Sequence, residues 1–394
     1  MTTKKTNVHL VIVTGQAQAN LIAILQLKPD VIVLAISDDM EKNASGFIDL
    51  LKSTIPNIPI QSFSHIPDVG VATIEAKAKE IAEQLQYKFP QGMITYHATG
   101  GNKLMMLGFC EIFSTANNEV IYTHTAHGHI EFIYPRHKPV ITIEPVLDMK
   151  TYLRSLGEQY KPNSNNDWET IARNRKNLTF WLGNKANQLG GFFKTLNAIA
   201  MSALADFDKG CIQSNQRLTL KKIPALWLEA LKKLANQGIC EWNKTDTNSL
   251  IFNNAACARY LGGIWLEEYV WLIASELNIS EVTANVEFTE LASANGTVLN
   301  EIDCIAVHNN HLLIIECKTV AFKEKATKNS DILYKLNTLG SRAGGLYGDK
   351  WLVSASPLDK YTQSRAETYK IKTIAAEQLK NLKTELENWR DAKR

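Results

Sequence analysis

Val298-Leu-Asn-Glu-Ile-Asp303-Cys-Ile-Ala-Val-His308-Asn-Asn-His311-Leu-Leu-Ile-Ile-Glu316-Cys-Lys318 holds two apolar runs on either side of Asn309-Asn310. Asparagine tolerates positive φ, so the pair predicts a two-residue hairpin turn. That turn sets the register. His308 faces His311, Val307 faces Leu312, and the same count puts Asp303 opposite Glu316. Side chains so opposed have Cβ atoms about 5 Å apart, and two carboxylates there repel. A divalent cation such as Mg2+ or Mn2+, which prefers oxygen ligands, would compensate. Strand alternation puts Lys318 on the side of Glu316 and sends Cys317 the other way with Ile315 and Leu313. Two carboxylates and an ammonium at the end of an apolar strand suit phosphodiester hydrolysis. The cation polarises the phosphate and acidifies a water, while Lys318 orients that water or stabilises the charge of the transition state. Upstream, Gly263-Ile-Trp-Leu-Glu-Glu-Tyr-Val270 opens a helix from which Glu267 or Glu268 supplies a further acidic ligand or base. The competing reading is a solvated strand end with Asp303 as a surface residue; the register, the apolar run Leu312–Ile315 leading into Glu316 and the upstream acidic helix weigh against it.

Working outward, the 394 residues exceed one ordinary core, which predicts two or three domains. Residues 1–150 alternate strand-like runs (His9–Val13, Val31–Ile36, Ile58–Phe63, Met93–His97) with helical stretches (Val71–Tyr87, Asn102–Thr115). This alternation predicts a parallel, Rossmann-like sheet, with Pro59 confining the third run to an edge or a strand start. Val120–His124 and Ile130–Tyr134 read as a closing hairpin. Residues 151–255 form a linker and a helical, winged-helix-like region. The linker candidate is Lys161–Asp167, and the amphipathic run Ala225–Gln237 precedes the short strands Gly238–Trp242 and Ser249–Phe252. Residues 256–394 read as an α/β domain around the opening hairpin.

In the first domain, strand Met93–His97 runs into Ala98-Thr99-Gly100-Gly101-Asn102-Lys103 and a helix. Paired glycines let backbone N–H groups approach a ligand closely, and a helix N-terminus attracts phosphate at the carboxyl edge of an open sheet. The loop Thr14-Gly15-Gln16-Ala17-Gln18-Ala19-Asn20 follows the first strand, and Ser37 and Asp38 follow the second. Ser37 and Asp38 would either line the same pocket or cap the next helix. Neither G-x-G-x-x-G nor G-x-x-x-x-G-K-[ST] is present, which argues against dinucleotide binding and against an NTPase. His124, His127 and His129 lack a cysteine or acidic partner at ligand spacing and read as a hairpin turn rather than a zinc site.

Composition is that of a globular protein, with 45% hydrophobic and 21% charged residues. No apolar run is long enough to span a membrane. Six scattered cysteines without C-x-x-C spacing fit free thiols in a reducing cytoplasm. Residues 1–150 carry 12 Lys/Arg against 14 Asp/Glu, and the remainder 31 against 26, a basic tilt on the side of a phosphate-rich substrate.

Asn300-Glu-Ile-Asp303, Glu316-Cys-Lys318 and Gly263-x-Trp-Leu-Glu267 resemble PD-(D/E)xK restriction-endonuclease-like domains. With Thr99-Gly-Gly-Asn-Lys103, the chain resembles the CRISPR-ancillary nucleases that join such a domain to a CARF sensor. The resemblance spans nearly the whole chain and is weak in the middle region. It implies a homodimer whose CARF pair binds a cyclic oligoadenylate, usually cyclic tetra-adenylate, at Thr14, Gln16, Asn20, Ser37 and Thr99 to Lys103. It further implies a Mn2+- or Mg2+-dependent endonuclease of type III CRISPR defence. Asp303, Glu316 and Glu267 would be its metal ligands and Lys318 would act beside them. DNA is the first candidate substrate and single-stranded RNA the second. Ile332-Leu-Tyr-Lys335-Leu and Gly344-Gly345…Leu352-Val-Ser354 also look like that family, and make Lys335 a candidate beside the phosphate. A CARF-type transcriptional regulator with a degenerate nuclease, and a constitutive restriction-type DNase, are the rival readings.

Overall fold

The computed structural model describes residues 5–161, 167–218, 222–242, 245–246, 248–290, 299–319, 332–338 and 348–393. The linker core at 162–166 and Gly344-Gly345 lie outside these residues. The chain divides into two compact units, Met1–Tyr160 and Lys161–Phe288 continued by Leu299–Lys393.

The first unit is built on β1 (Asn7–Ile12), β2 (Val31–Ala35), β3 (Ile60–Phe63), β4 (Met93–His97), β5 (Glu119–His124), β6 (His129–Tyr134) and β7 (Ile141–Thr142). Their order is β3-β2-β1-β4-β5-β6-β7. Strands β1 to β5 are parallel, and β6 and β7 are antiparallel. The parallel strands are joined through α1 (Gln18–Leu27), α2 (Glu41–Thr54), α3 (Val71–Lys88) and α4 (Lys103–Phe113), and α5 (Met149–Ser155) follows the sheet. As Pro59 requires, β3 begins just after it and lies at the sheet edge. Val8, Leu10, Ile12, Val33, Tyr96, Phe109 and Phe113 fill one face.

Strand β8 (Glu158–Lys161) leads to α6 (Asp167–Asn174), α7 (Lys176–Asn184), α8 (Gly190–Asp208), β9 (Ser214–Arg217), α9 (Ala225–Asn236), β10 (Glu241–Trp242) and β11 (Ser249–Phe252). Helix α9 is followed by the antiparallel pair β10–β11, the helix-then-hairpin order read from the sequence. Strand β9 joins as the third strand; its Ser-Asn-Gln-Arg has no apolar alternation to announce it.

The rest comprises α10 (Ala255–Arg259), α11 (Trp265–Ser275), β12 (Glu281–Glu290), β13 (Leu299–His308), β14 (His311–Lys318), α12 (332–338), β15 (Gly348–Ser354), α13 (Lys360–Thr368), β16 (Lys372–Ala375) and α14 (Leu382–Asp391). Sheet order is β16-β15-β14-β13-β12-β8. Asn309 and Asn310 adopt φ of 46° and 64°, and β13 pairs with β14 from His308↔His311 to Cys304↔Ile315. That is the register read from the turn. Leu313, Ile315 and Cys317 pack into the core against α11, which leaves Glu316 and Lys318 on the other face.

Candidate functional site

Continuing the β13–β14 register by one step brings Asp303 beside Glu316, and the Cys317 N–H donates to Asp303 Oδ2 at 2.6 Å. Lys318 sits half-buried at the end of the same strand. On α12, Leu333 and Leu336 are buried and Lys335 reaches back, its Nζ 2.6 Å from Glu316 Oε1. This contact joins residues 19 apart in sequence.

Adjacent residues on a helix point about 100° apart, and α11 separates its two glutamates accordingly. Glu268 is fully buried and bound by Arg175, whose Nε donates to Oε2 at 2.9 Å; Thr179 Oγ1 lies 3.4 Å from the same oxygen. Glu267 instead joins the strand carboxylates. With its amide turned to satisfy both neighbours, Asn285 donates from its side-chain nitrogen to Glu267 Oε2 at 3.0 Å, and its oxygen accepts from Trp168 Nε1 at 3.0 Å.

Burial, followed by repulsion from Asp303, Glu301 and Glu316, raises Glu267 well above its usual range. Burial pushes Asp303 up to about 6 against the pull of the Cys317 N–H, Lys335 and Lys318. Burial and then Asp303 push Glu316 up to about 8 against Lys335. Crowded, partly desolvated oxygens of this kind fit a hard divalent cation. One oxygen of each is engaged: Glu316 Oε1 by Lys335, Asp303 Oδ2 by Cys317 and Glu267 Oε2 by Asn285. The three are therefore grouped but not drawn into a closed ligand shell. Among the described residues, the trio whose ligand atoms converge within 4.8 Å is Asp38, Glu41 and His65, all exposed, in the other unit. Sequence reading passed over Glu301, although its spacing of two from Asp303 puts it on the same strand face. It also passed over Asn285, Trp168 and Arg175, for which no local pattern signals a partner so distant.

In the first unit, β1 and β4 are neighbours whose helices leave on either side of the point where strand order reverses, the position at which open α/β sheets bind ligands. The loops Thr14–Asn20 and Thr99–Lys103 meet there. Gly100 is a close-approach glycine: a Cβ would fall 2.1 Å from the Ile12 carbonyl oxygen and 2.9 Å from Asn20 Nδ2. Gly101 turns the chain with φ of 79°. Asn102 caps α4, accepting from the Leu104 and Met105 N–H groups, and donates to the Asp68 carbonyl. Thr99 Oγ1 accepts from the Thr123 N–H at 2.8 Å. Asn20 is buried and donates to the Ile12 carbonyl at 3.2 Å, so its side chain braces the loops from within. Gln16, Gly101 and Lys103 are exposed, Thr14 is half-buried and Ser37 is buried. Ser37 stands at the N-cap of the turn Asp38–Met40 without a side-chain capping bond. Asp38 instead lies 2.8 Å from His65 Nδ1. His124, His127 and His129 surround the β5–β6 turn, with ring centroids 4.2 to 6.1 Å apart.

Residues 8–152 match the family model described as the Card1 CARF domain, and residues 254–393 match the Card1-like endonuclease domain. No sequence among curated proteins matches. The fold is shared with solved structures. The crystal structure of protein VC1899 from Vibrio cholerae is 24% identical with a TM-score of 0.84, over 98% of this chain and 99% of that one. Can2 from Sulfobacillus thermosulfidooxidans, in complex with cyclic tetra-adenylate, is 19% identical with a TM-score of 0.74, over 97% and 99%. A type III CRISPR defence DNA nuclease activated by cyclic oligoadenylate is 13% identical with a TM-score of 0.52, over 91% and 47%. Among the described residues no helix is long and apolar enough to cross a membrane.

Proposed function

From a chain that carries a CARF domain and an endonuclease domain of the Card1 families, we propose a cyclic oligoadenylate-activated, divalent-metal-dependent endonuclease of type III CRISPR defence. The grouping of Glu267 and Lys335, on two helices, with Asp303, Glu316 and Lys318 on the central strands β13 and β14 is the observation that carries the catalytic half. These three carboxylates would hold Mn2+ or Mg2+, which supplies charge to polarise a phosphate and acidify a water. Lys318 orients the attacking water or steadies the negative charge that builds on the scissile phosphate. Lys335 neutralises Glu316 and stands beside the phosphate's path. The Asn285–Trp168 relay fixes the orientation of Glu267. DNA is the proposed substrate, with single-stranded RNA second.

The sensing half rests on the β1/β4 switch point. Thr14, Gln16, Ser37, Thr99, Gly100, Gly101, Asn102 and Lys103 would line the pocket, with Asn20 bracing it. Cyclic tetra-adenylate is the proposed activator, since Can2, whose fold this chain shares, is bound to it. A two-fold dimer suits a four-fold ring, because each protomer makes equivalent contacts to half of it. Leu104 and Leu107 on α4, with Val69 and Val71 at the start of α3, are exposed apolar residues near the pocket and support a homodimer through this face. The boundaries 1–150, 151–255 and 256–394 remain our division of the chain into sensor, middle region and nuclease, and a cytoplasmic setting is part of the same proposal. The catalytic half is tested by nicking of supercoiled plasmid in Mn2+ with cyclic tetra-adenylate present. Cleavage should vanish with a chelator and in Glu316→Ala; cleavage that survives both would sink the assignment.

A further inference from the structure

On the surface of the nuclease domain three tyrosines gather around one arginine. The Arg365 guanidinium carbon lies 4.8 Å from the Tyr334 ring centroid, 5.1 Å from Tyr361 and 5.9 Å from Tyr369. Its Nη2 donates to the Tyr334 hydroxyl at 3.0 Å. The Tyr334 and Tyr369 rings are 5.9 Å apart. Tyr334 is 47% and Tyr361 53% exposed. Single exposed aromatic residues need no explanation, but a contiguous group marks a place where something binds.

The group is held in place. Lys350 Nζ bonds both Asn337 Oδ1 at 3.3 Å and the Tyr369 carbonyl at 2.7 Å, which ties α12 to the end of α13. Buried Leu333 and Leu336 seat α12 on the sheet. It is also placed beside the candidate active site, because Tyr334 immediately precedes Lys335, whose ammonium touches Glu316. Successive helix residues diverge by about 100°, so with Lys335 turned to the carboxylates, Tyr334 faces outward. Each ring has a lysine next to it in sequence, as Tyr334-Lys335, Lys360-Tyr361 and Tyr369-Lys370, and Lys360 and Lys370 are exposed.

We propose that Tyr334, Tyr361 and Tyr369, gathered on Arg365 and flanked by lysines, form a stacking platform for unpaired bases of the strand being cut. Aromatic faces accept any base, and neighbouring cations take the phosphates, which is how single strands are held without sequence readout. Within a duplex the base faces are covered by their neighbours, so the platform selects strands that are single or locally opened. The inference rests on the nuclease reading and assigns the side chains that would hold its strand.

The test measures binding of a short fluorescein-labelled single strand, as DNA and as RNA, to the full chain by anisotropy. A chelator is present to prevent cleavage, and cyclic tetra-adenylate is tested present and absent. Tyr334→Ala and Tyr361→Ala should each weaken binding roughly five- to 150-fold, while Tyr361→Phe, which keeps the ring, stays near wild type. An abasic site moved along the strand should cost the wild type similarly at one or two positions and cost the Tyr→Ala variants nothing there. Equal binding by wild type and both Ala variants overturns the proposal, as does equal loss on intact and abasic strands, or a wild type that binds no single strand. Failure of the nuclease reading looks different: no cleavage by the wild type in Mn2+ with cyclic tetra-adenylate present, whatever the tyrosines do to binding.

Discussion

Replacing Arg175 with methionine strands a buried carboxylate, and its consequence can be worked out from the contacts. Glu268 is fully buried and Arg175 is 12% exposed. Two Arg175 Nε contacts, at 2.9 and 3.1 Å, and a Thr179 hydroxyl satisfy the carboxylate, while the guanidinium lies 4.1 Å from the Tyr260 ring centroid. Removing one partner of such a pair costs about 3–5 kcal/mol, because the charge left behind has neither water nor a counter-ion. For a unit of this size that is a fall in Tm on the order of 10 °C. All 8 tryptophans lie beyond residue 160, so tryptophan fluorescence reports the second unit alone. The sign of the pH dependence follows from Glu268, whose pKa stands above its usual value because burial outweighs the bonds from Arg175. A carboxyl raised in the folded state stabilises fully below its unfolded pKa and loses that stability as pH rises through the folded one. Without Arg175 the rise is larger, so Arg175→Met should be nearly harmless below the ordinary glutamate range and increasingly destabilised as pH rises above it. Adding Glu268→Gln should recover most of the loss at the higher pH. A single variant as stable as wild type, or a loss independent of pH, refutes the reasoning.

Three further outcomes follow from particular contacts. Gly100→Ala drives a methyl into the Ile12 carbonyl and should lower the melting temperature of the first unit and its affinity for cyclic tetra-adenylate, measured by circular dichroism and calorimetry; unchanged melting would show that the loops do not meet as described. His9 and His97 are buried and hydrogen-bonded at 2.9 Å; burial pushes His9 down to about 4 and holds His97 well below its usual range. Histidines depressed in the folded state leave stability intact above about pH 6.5 and withdraw it as pH falls towards 4, roughly 3 kcal/mol for His9 alone. The melting temperature of the first unit should therefore drop across that window, and a flat profile counts against a buried neutral pair. Trp168→Phe removes the donor that orients Asn285 and through it Glu267; the Mn2+ needed for half-maximal cleavage should rise about tenfold, and an unchanged titration dissociates the relay from the site.

What could be read from sequence was set by local stereochemistry. Asn309-Asn310 announces its turn because few residues accept positive φ twice in succession, and everything along the β13–β14 ladder follows by counting. Pro59 marks an edge strand because it has no N–H to offer. The choice between Glu267 and Glu268 was not readable, because it depends on how α11 rolls against the sheet and on where Arg175 arrives from 93 residues away. Lys335 could be singled out, but its contact with Glu316 needed the placement of α12. The glycines of the Thr99–Lys103 loop announce close approach to a ligand, but the close neighbours of Gly100 are protein atoms, the Ile12 carbonyl and the Asn20 side chain. Gly100 yields to a β1 carbonyl, and the Asn102 amide is taken up by the helix start and by Asp68, demands that only the packed loops define.

The most direct test of the whole account is plasmid cleavage in Mn2+ with and without cyclic tetra-adenylate, by the wild type and by Glu316→Ala, with activator binding measured on both. The account predicts cleavage by the wild type only when activator is present, none by the variant, and equal activator affinity for the two. Equal cleavage with and without activator, or cleavage retained by Glu316→Ala, would contradict it.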